Sequence, residues 1–340
     1  MGMRAKNTSA DFVKAYGFST LPDTPATPET LWYVGSTTKA FTAATIASLI
    51  DSGNYSLLSP GWKTKISSLI RDDFVLQDTW ATEHLTLEDA ASHRTGMSRH
   101  DSSIIWNPDD PRSIVKNTVR KMRNLAFHVE PRTVFQYCNM FYTVLAHVAE
   151  MLTGRWLGDV MKDIIWTPLG MNSTYFEFAD AVAAGEDVSQ GYIWHDDKQE
   201  LKPLPHIENA VMNGAGAMIS NVLDYAKWMK CLLDRASPLS EAIHRDIRLP
   251  RMVPAFQTIG SDVTSYAIGW FQATIHGRTV YWHSGSTGIH GALVYWFPND
   301  SYGITIFVNS VSPIRQILLF KLLEDKFNVP HEQRIDVEKR

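Results

Sequence analysis

The sequence predicts an α+β fold: one antiparallel sheet flanked by helices and built from both ends of the chain, with a mostly helical domain inserted between. Three observations carry this reading. Residues 31–34 read as a short strand running straight into a helix over 36–52. From about 60 to 245 the apolar residues recur mainly at helical spacing. After about 262 the runs "SYAIGWFQATIHG", "RTVYWHSG", "IHGALVYWFPND" and "YGITIFVNS" are rich in β-branched and aromatic residues, with turn signals between them. This order places a discontinuous sheet domain at 1–58 and 246–340 and a helical domain at 59–245.

Each element has its own signals. The proline-punctuated "STLPDTPATPETLWYVGS" leads into the first strand; Phe41, Ala44, Thr45, Leu49 and Ile50 then recur near the helical period until Gly53 stops them. "SIVKNTVRKMRNLAF" and "NMFYTVLAHVAEMLTG" read as helices, the second closed by Gly154. Asn221 is the expected N-cap of "VLDYAKWMKCLLD", with Asp224 at its third position. Ser312 is expected to cap the last helix, with Pro313 in its first turn and Ile314, Ile317, Leu318 and Leu322 beyond.

The composition narrows the function. A chain of 340 residues, 44% hydrophobic and 20% charged, supports a large core, and a net charge of −4 gives no case for nucleic acid or an anionic membrane surface. Small neutral or mildly charged ligands are the expected partners. Two cysteines, Cys138 and Cys231, make no disulfide framework, and no Cys/His spacing suits zinc, so neither metal nor cofactor is expected. No apolar run reaches the ~18 residues of a membrane span. The N-terminal "MGMRAKNTSADF" lacks a signal-type apolar segment, so a cytoplasmic location is expected.

Three separated segments carry chemistry. Ser36-Thr37-Thr38-Lys39 sits at the strand-to-helix junction, which puts serine and lysine on one helix face at a terminus favouring developing negative charge. The pattern recurs at Ser113-Ile114-Val115-Lys116, where it follows Pro111-Arg112 and reads as a helix start. Taken alone, Ser36 is either a nucleophile or an N-cap beside a solvated lysine. Tyr137-Cys138-Asn139 opens an apolar helix, and His283-Ser284-Gly285 ends a strand where the glycine allows another backbone to approach.

In this order the three segments resemble the serine β-lactamases and penicillin-binding proteins, particularly the class C-like branch of β-lactamases, DD-peptidases, D-aminopeptidases, family VIII-type carboxylesterases and related acyltransferases. "ASHRTGMSRHD" (91–101), "NGAGAMISNVLDYAKWM" (213–229) and the closing strands extend the resemblance over roughly residues 11 to 327. It implies a β-lactamase/transpeptidase-like fold with the active site at the interface of the two domains, and a Ser36 acyl-enzyme. Tyr137, coupled to Lys39, would take the serine proton, which requires its phenol pKa to fall by about three units. Which of the two is the base stays open. The backbone N–H groups of Ser36 and Ser286 would hold the oxyanion, and Asn139 would orient Lys39 or a substrate amide. His283, with Ser284 and Gly285, stands where the family usually has a lysine and would donate a hydrogen bond or tune Tyr137. Trp106, Trp194 and Trp282 are candidate lining residues.

The implied activity is a serine hydrolase, esterase-like on small esters or amides, since the missing lysine removes an anchor for a substrate carboxylate. An acyltransferase or transesterase, a β-lactamase or D-amino-acid peptidase, and a non-catalytic acylation-type sensor stay open as alternatives. Fewer residues precede the serine than is usual in the family, so a homo-oligomer covering the shortened edge is also expected.

Overall fold

The computed structural model describes residues 2–4, 12–103, 113–206, 212–261, 263–310 and 312–337. A seven-stranded antiparallel sheet forms its centre. Numbered along the chain, the strands are β1 (Gly2–Arg4), β2 (Phe12–Val13), β3 (Thr264–Tyr266), β4 (Phe271–Ile275), β5 (Arg278–Ser286), β6 (Gly291–Phe297) and β7 (Tyr302–Val308). They lie side by side in the order β2-β1-β7-β6-β5-β4-β3, so the short β2 occupies one edge. Phe271, Trp282 and Tyr295 stand opposite one another on β4, β5 and β6, and their rings stack at 4.5 and 5.4 Å. Such cross-strand aromatic pairs fix register.

The sheet is covered on both faces, which explains why "GALVYWF" of β6 is a continuous apolar run and is buried throughout. One face packs under the last of four long helices, α4 (Ile314–Lys326), through Leu319, Phe320 and Leu323 against Leu293, Tyr295 and Ile304. The other face, with Val294, Trp296 and Phe307, joins the larger core formed by α1 (Thr38–Asp51), α2 (Asn139–Thr153) and α3 (Val222–Asp234). Every residue of α1 from Thr38 to Ala47 is buried, as expected of a helix apolar on all sides. Its small side chains at Ala40, Ala43, Ala44 and Ala47 let neighbouring elements come close. Gly154 ends α2 in the left-handed conformation, and the Asn221 side chain accepts from Asp224 N at 2.9 Å, both as the sequence predicts.

Three expectations need correction. The helical middle also contains a hairpin, Gly191–His195 with Glu200–Leu204, whose mostly exposed second strand lacks an apolar stripe. The run "SYAIGWFQATIHG" divides into β3 and β4, because Gly269 (φ +76°) breaks it where the chain presses on Ala40 of α1. Pro313, not Ser312, occupies the N-cap position of α4; Ser312 Oγ still accepts from Ile314 N at 3.3 Å. No helix among the described residues is long and apolar enough to cross a membrane. Both cysteines are buried free thiols.

The junction that matters most joins the end of β5 to the start of α1. A Cβ on Gly285 would fall 1.9 Å from the Val34 carbonyl oxygen, and one on Gly35 (φ +52°) would fall 2.7 Å from Ser286 N. Only two glycines permit this approach. Gly285→Ala is therefore expected to destabilise the protein by about 1–3 kcal/mol or more through forced backbone displacement. Urea unfolding measures it, and an unchanged midpoint would contradict the contact.

Candidate active site

A 3₁₀ turn, Gly35–Thr37, precedes α1 and presents Ser36 above Lys39. Lys39 Nζ lies 3.0 Å from Ser36 Oγ and donates to the Ala215 carbonyl at 2.7 Å. Tyr137 comes from the loop ahead of α2; its hydroxyl is hydrogen-bonded to Ser36, and its ring centroid is 4.9 Å from Lys39 Nζ. His283 enters from β5, with its ring 6.4 Å from that of Tyr137. Its Nδ1 donates to the Ser284 carbonyl at 2.7 Å, which leaves Nε2 to accept from the Tyr266 hydroxyl at 3.3 Å. Ser36, Tyr137, Trp282, His283, Ser284 and Ser286 share a cleft of about 340 Å³ with Arg99, Phe135, Phe256 and Phe271.

Other expected site residues lie elsewhere. Asn139 is not among the residues that line this cleft, and its amide donates to Asp101 Oδ2 at 3.0 Å. Trp194 lines a separate cleft with Tyr192 and Pro313, so it is not part of this site. Trp106 falls outside the described residues. Gly285 acts through its backbone contact with Val34.

The sequence also passed over several participants. His93 lies under Tyr137 at 4.1 Å between centroids, and its Nδ1 accepts from Cys138 N at 3.1 Å. Its carbonyl accepts from Gln136 N at 2.7 Å, tying the Tyr137 loop to the segment after Ser92. The same loop is anchored by Asp89, a buried carboxylate held by Arg94 Nε at 2.6 Å and Arg132 at 2.7 Å. Arg99 covers the Tyr137 ring at 5.3 Å and pairs with Asp101 at 2.8 Å. A non-glycine residue with positive φ, such as His93 at +57°, marks the spot in three dimensions but has no signature in sequence.

The sequence matches the family described as Beta-lactamase over residues 9–318. The chain belongs to that family. Within it, the chain is 37% identical to an unguisins hydrolase from Aspergillus campestris over 96% of its own length and 61% of that protein's. It thus spans about three-fifths of that relative. The penicillin-binding protein homologue from Pyrococcus abyssi, described as octameric, superposes with a TM-score of 0.83 at 24% identity, covering 98% of this chain and 74% of that one. The D-amino acid amidase from Ochrobactrum anthropi SV3 superposes with a TM-score of 0.72 at 18% identity, covering 91% and 85%. These structural likenesses concern the fold.

The electrostatics of this beta-lactamase-family site overturn one expectation. Burial drives the Lys39 pKa well below the ordinary lysine value; Asp101 opposes the shift and Arg99 adds to it. Tyr137 is not lowered. Although part of the residue reaches solvent, the surrounding protein desolvates its hydroxyl and pushes the phenol well up, against the hydrogen bond from Ser36. Lys39 stands over the ring face, with Nζ 4.9 Å from its centroid, and is not among the groups that lower the phenol. His283 is lowered to about 3 by burial and by Lys39, so it is a neutral imidazole at pH 7. Among the described residues no group of three or more His, Cys, Asp or Glu is arranged to hold a metal.

Opposite pH shifts follow for the two neighbours of Lys39. Removing the charge of Asp101 (Asp101→Asn) should lower the Lys39 pKa further, moving the acid limb of Ser36 reactivity to lower pH. Arg99→Gln should move it to higher pH. The rate of fluorophosphonate labelling against pH reads both, and shifts of the same sign would contradict the arrangement.

Proposed function

We propose that this chain is a serine hydrolase that opens amide or ester bonds through a Ser36 acyl-enzyme. The observation that carries the reading is a buried lysine, its pKa lowered by burial, 3.0 Å from a serine hydroxyl in an open cleft.

In this mechanism the Ser36 Oγ–H proton passes to the Lys39 lone pair as Oγ adds to the substrate carbonyl carbon. The carbonyl electron pair moves onto oxygen, which accepts from the backbone N–H groups of Ser36 and Ser286, on the turn and the strand that Gly35 and Gly285 bring together. Tyr137, still protonated, gives its proton to the departing nitrogen or oxygen, and the Lys39 ammonium, which faces its ring, returns one to its oxygen through the water that takes the leaving group's place. Collapse expels the leaving group and leaves an ester on Ser36. Water then enters by the reverse proton path, releasing the acid and restoring Ser36. His283 positions the end of β5 and supplies no cation. Asp101, which accepts from the Asn139 amide, and Arg99 set the charge around Lys39.

Amide substrates are favoured alongside esters because the similar proteins are named as a hydrolase and an amidase. The neutral His283 and the Arg99–Asp101 pairing support substrates without a free carboxylate. The test is incubation with a fluorophosphonate probe, p-nitrophenyl acetate and butyrate, and nitrocefin, followed by mass spectrometry. Labelling is expected on Ser36 and absent from Ser36→Ala, with ester turnover and little nitrocefin turnover. Tyr137→Phe should lower kcat by at least ~100-fold. A label on Ser113, or one that persists in Ser36→Ala, would overturn the assignment.

A further inference from the structure

One bank of the cleft is a continuous aromatic surface. Phe135, Phe256 and Phe271 form a triangle with centroids 6.2, 5.9 and 5.6 Å apart. Phe271 also stacks on Trp282 at 4.5 Å, and Trp282 is fixed by its Nε1–H donating to Thr258 Oγ1 at 3.1 Å. Three of these rings are braced by the fold. Phe256, by contrast, is 47% exposed. A large ring left open at the mouth of a pocket keeps apolar surface in water, and a ligand that covers it recovers the hydrophobic gain.

Among the described residues, the charge that lines the cleft beside that surface is already paired. Arg99 lies over Tyr137 with its guanidinium paired to Asp101 at 2.8 Å. His283 has both ring nitrogens engaged, one with Ser284 and the other with Tyr266. A volume of about 340 Å³ is at the small end for ligand sites, enough for one ring-sized group beside the reacting carbonyl.

We infer that the cleft selects acyl groups carrying an aromatic or similarly bulky apolar side chain, seated against Phe135, Phe256 and Phe271, with Phe256 as the specificity-determining residue. The inference rests on the hydrolase reading above and deepens it by naming the class of substrate. Position supports a direct role: Ser36 and all three phenylalanines line the same cleft.

The test compares kcat/KM for p-nitrophenyl propionate, p-nitrophenyl 3-phenylpropionate and p-nitrophenyl hydrogen succinate, whose leaving group is shared. The phenylpropionate should be preferred over the propionate by at least about 10-fold, the discrimination an apolar pocket gives for small differences in size. The charged succinate should do no better than the propionate. Phe256→Ala should cut the phenylpropionate preference at least about 5-fold, and Phe256→Leu should retain part of it. Equal wild-type rates for the two neutral esters, or a preference unchanged in Phe256→Ala, would overturn the inference while Ser36 labelling leaves the hydrolase reading standing. No labelling and no turnover of any ester would overturn both.

Discussion

The site depends on burying the Lys39 amine without a carboxylate in contact. Among the described residues its hydrogen bonds go to neutral groups, Ser36 Oγ and the Ala215 carbonyl, and its flanks are the rings of Tyr137 and Tyr142. Taking an ammonium out of water costs several kcal/mol, so a lysine in such surroundings sheds its proton. An exposed lysine would be a cation and no base at neutral pH. The helix makes the difference: α1 is enclosed on all sides, so a residue one turn inside it cannot reach solvent. The same enclosure that stabilises the core thus produces the chemistry at its end.

Around this amine the fold must bring together three segments far apart in the chain. Backbone contact at Gly35 and Gly285 brings β5 to the serine turn. The Tyr137 loop is held by hydrogen bonds to the His93 carbonyl and ring, and by the Asp89 carboxylate shared between Arg94 and Arg132. A carboxylate so paired satisfies its charge where a lone one would be costly. Asp101 then touches the system twice, through Asn139 and through Arg99. On Lys39 itself it acts through charge and not through a hydrogen bond.

Much of this was legible in the sequence. The strand-rich end, the capped and glycine-ended helices, and the serine, lysine, tyrosine and histidine segments depend on local pattern, and the comparison with known proteins supports the family. Depth was not legible. Sequence spacing puts Lys39 beside Ser36 but says nothing of how far both lie from water, and so the expected acidity of Tyr137 was reversed. Asn139 sits at the anticipated helix start, yet its amide donates to Asp101, a partner 38 residues earlier that no local pattern indicates. Phe135 and Phe256 come from two loops and Phe271 from β4, and only tertiary packing makes them one surface. Trp194 shows the converse, an aromatic residue placed on an unforeseen hairpin that carries it away from the cleft.

The protonation state of Lys39 is the quantity on which the account turns. NMR of protein with isotope-labelled lysine side chains, assigned with a Lys39→Met variant, would follow its amine directly through a pH titration. The account predicts that the Lys39 signal titrates well below the other lysines and reports a neutral amine in the pH range of activity. A Lys39 titration coincident with exposed lysines, near 10.4, would mean that the buried amine is charged in the resting protein, and the proposed base would have to be abandoned.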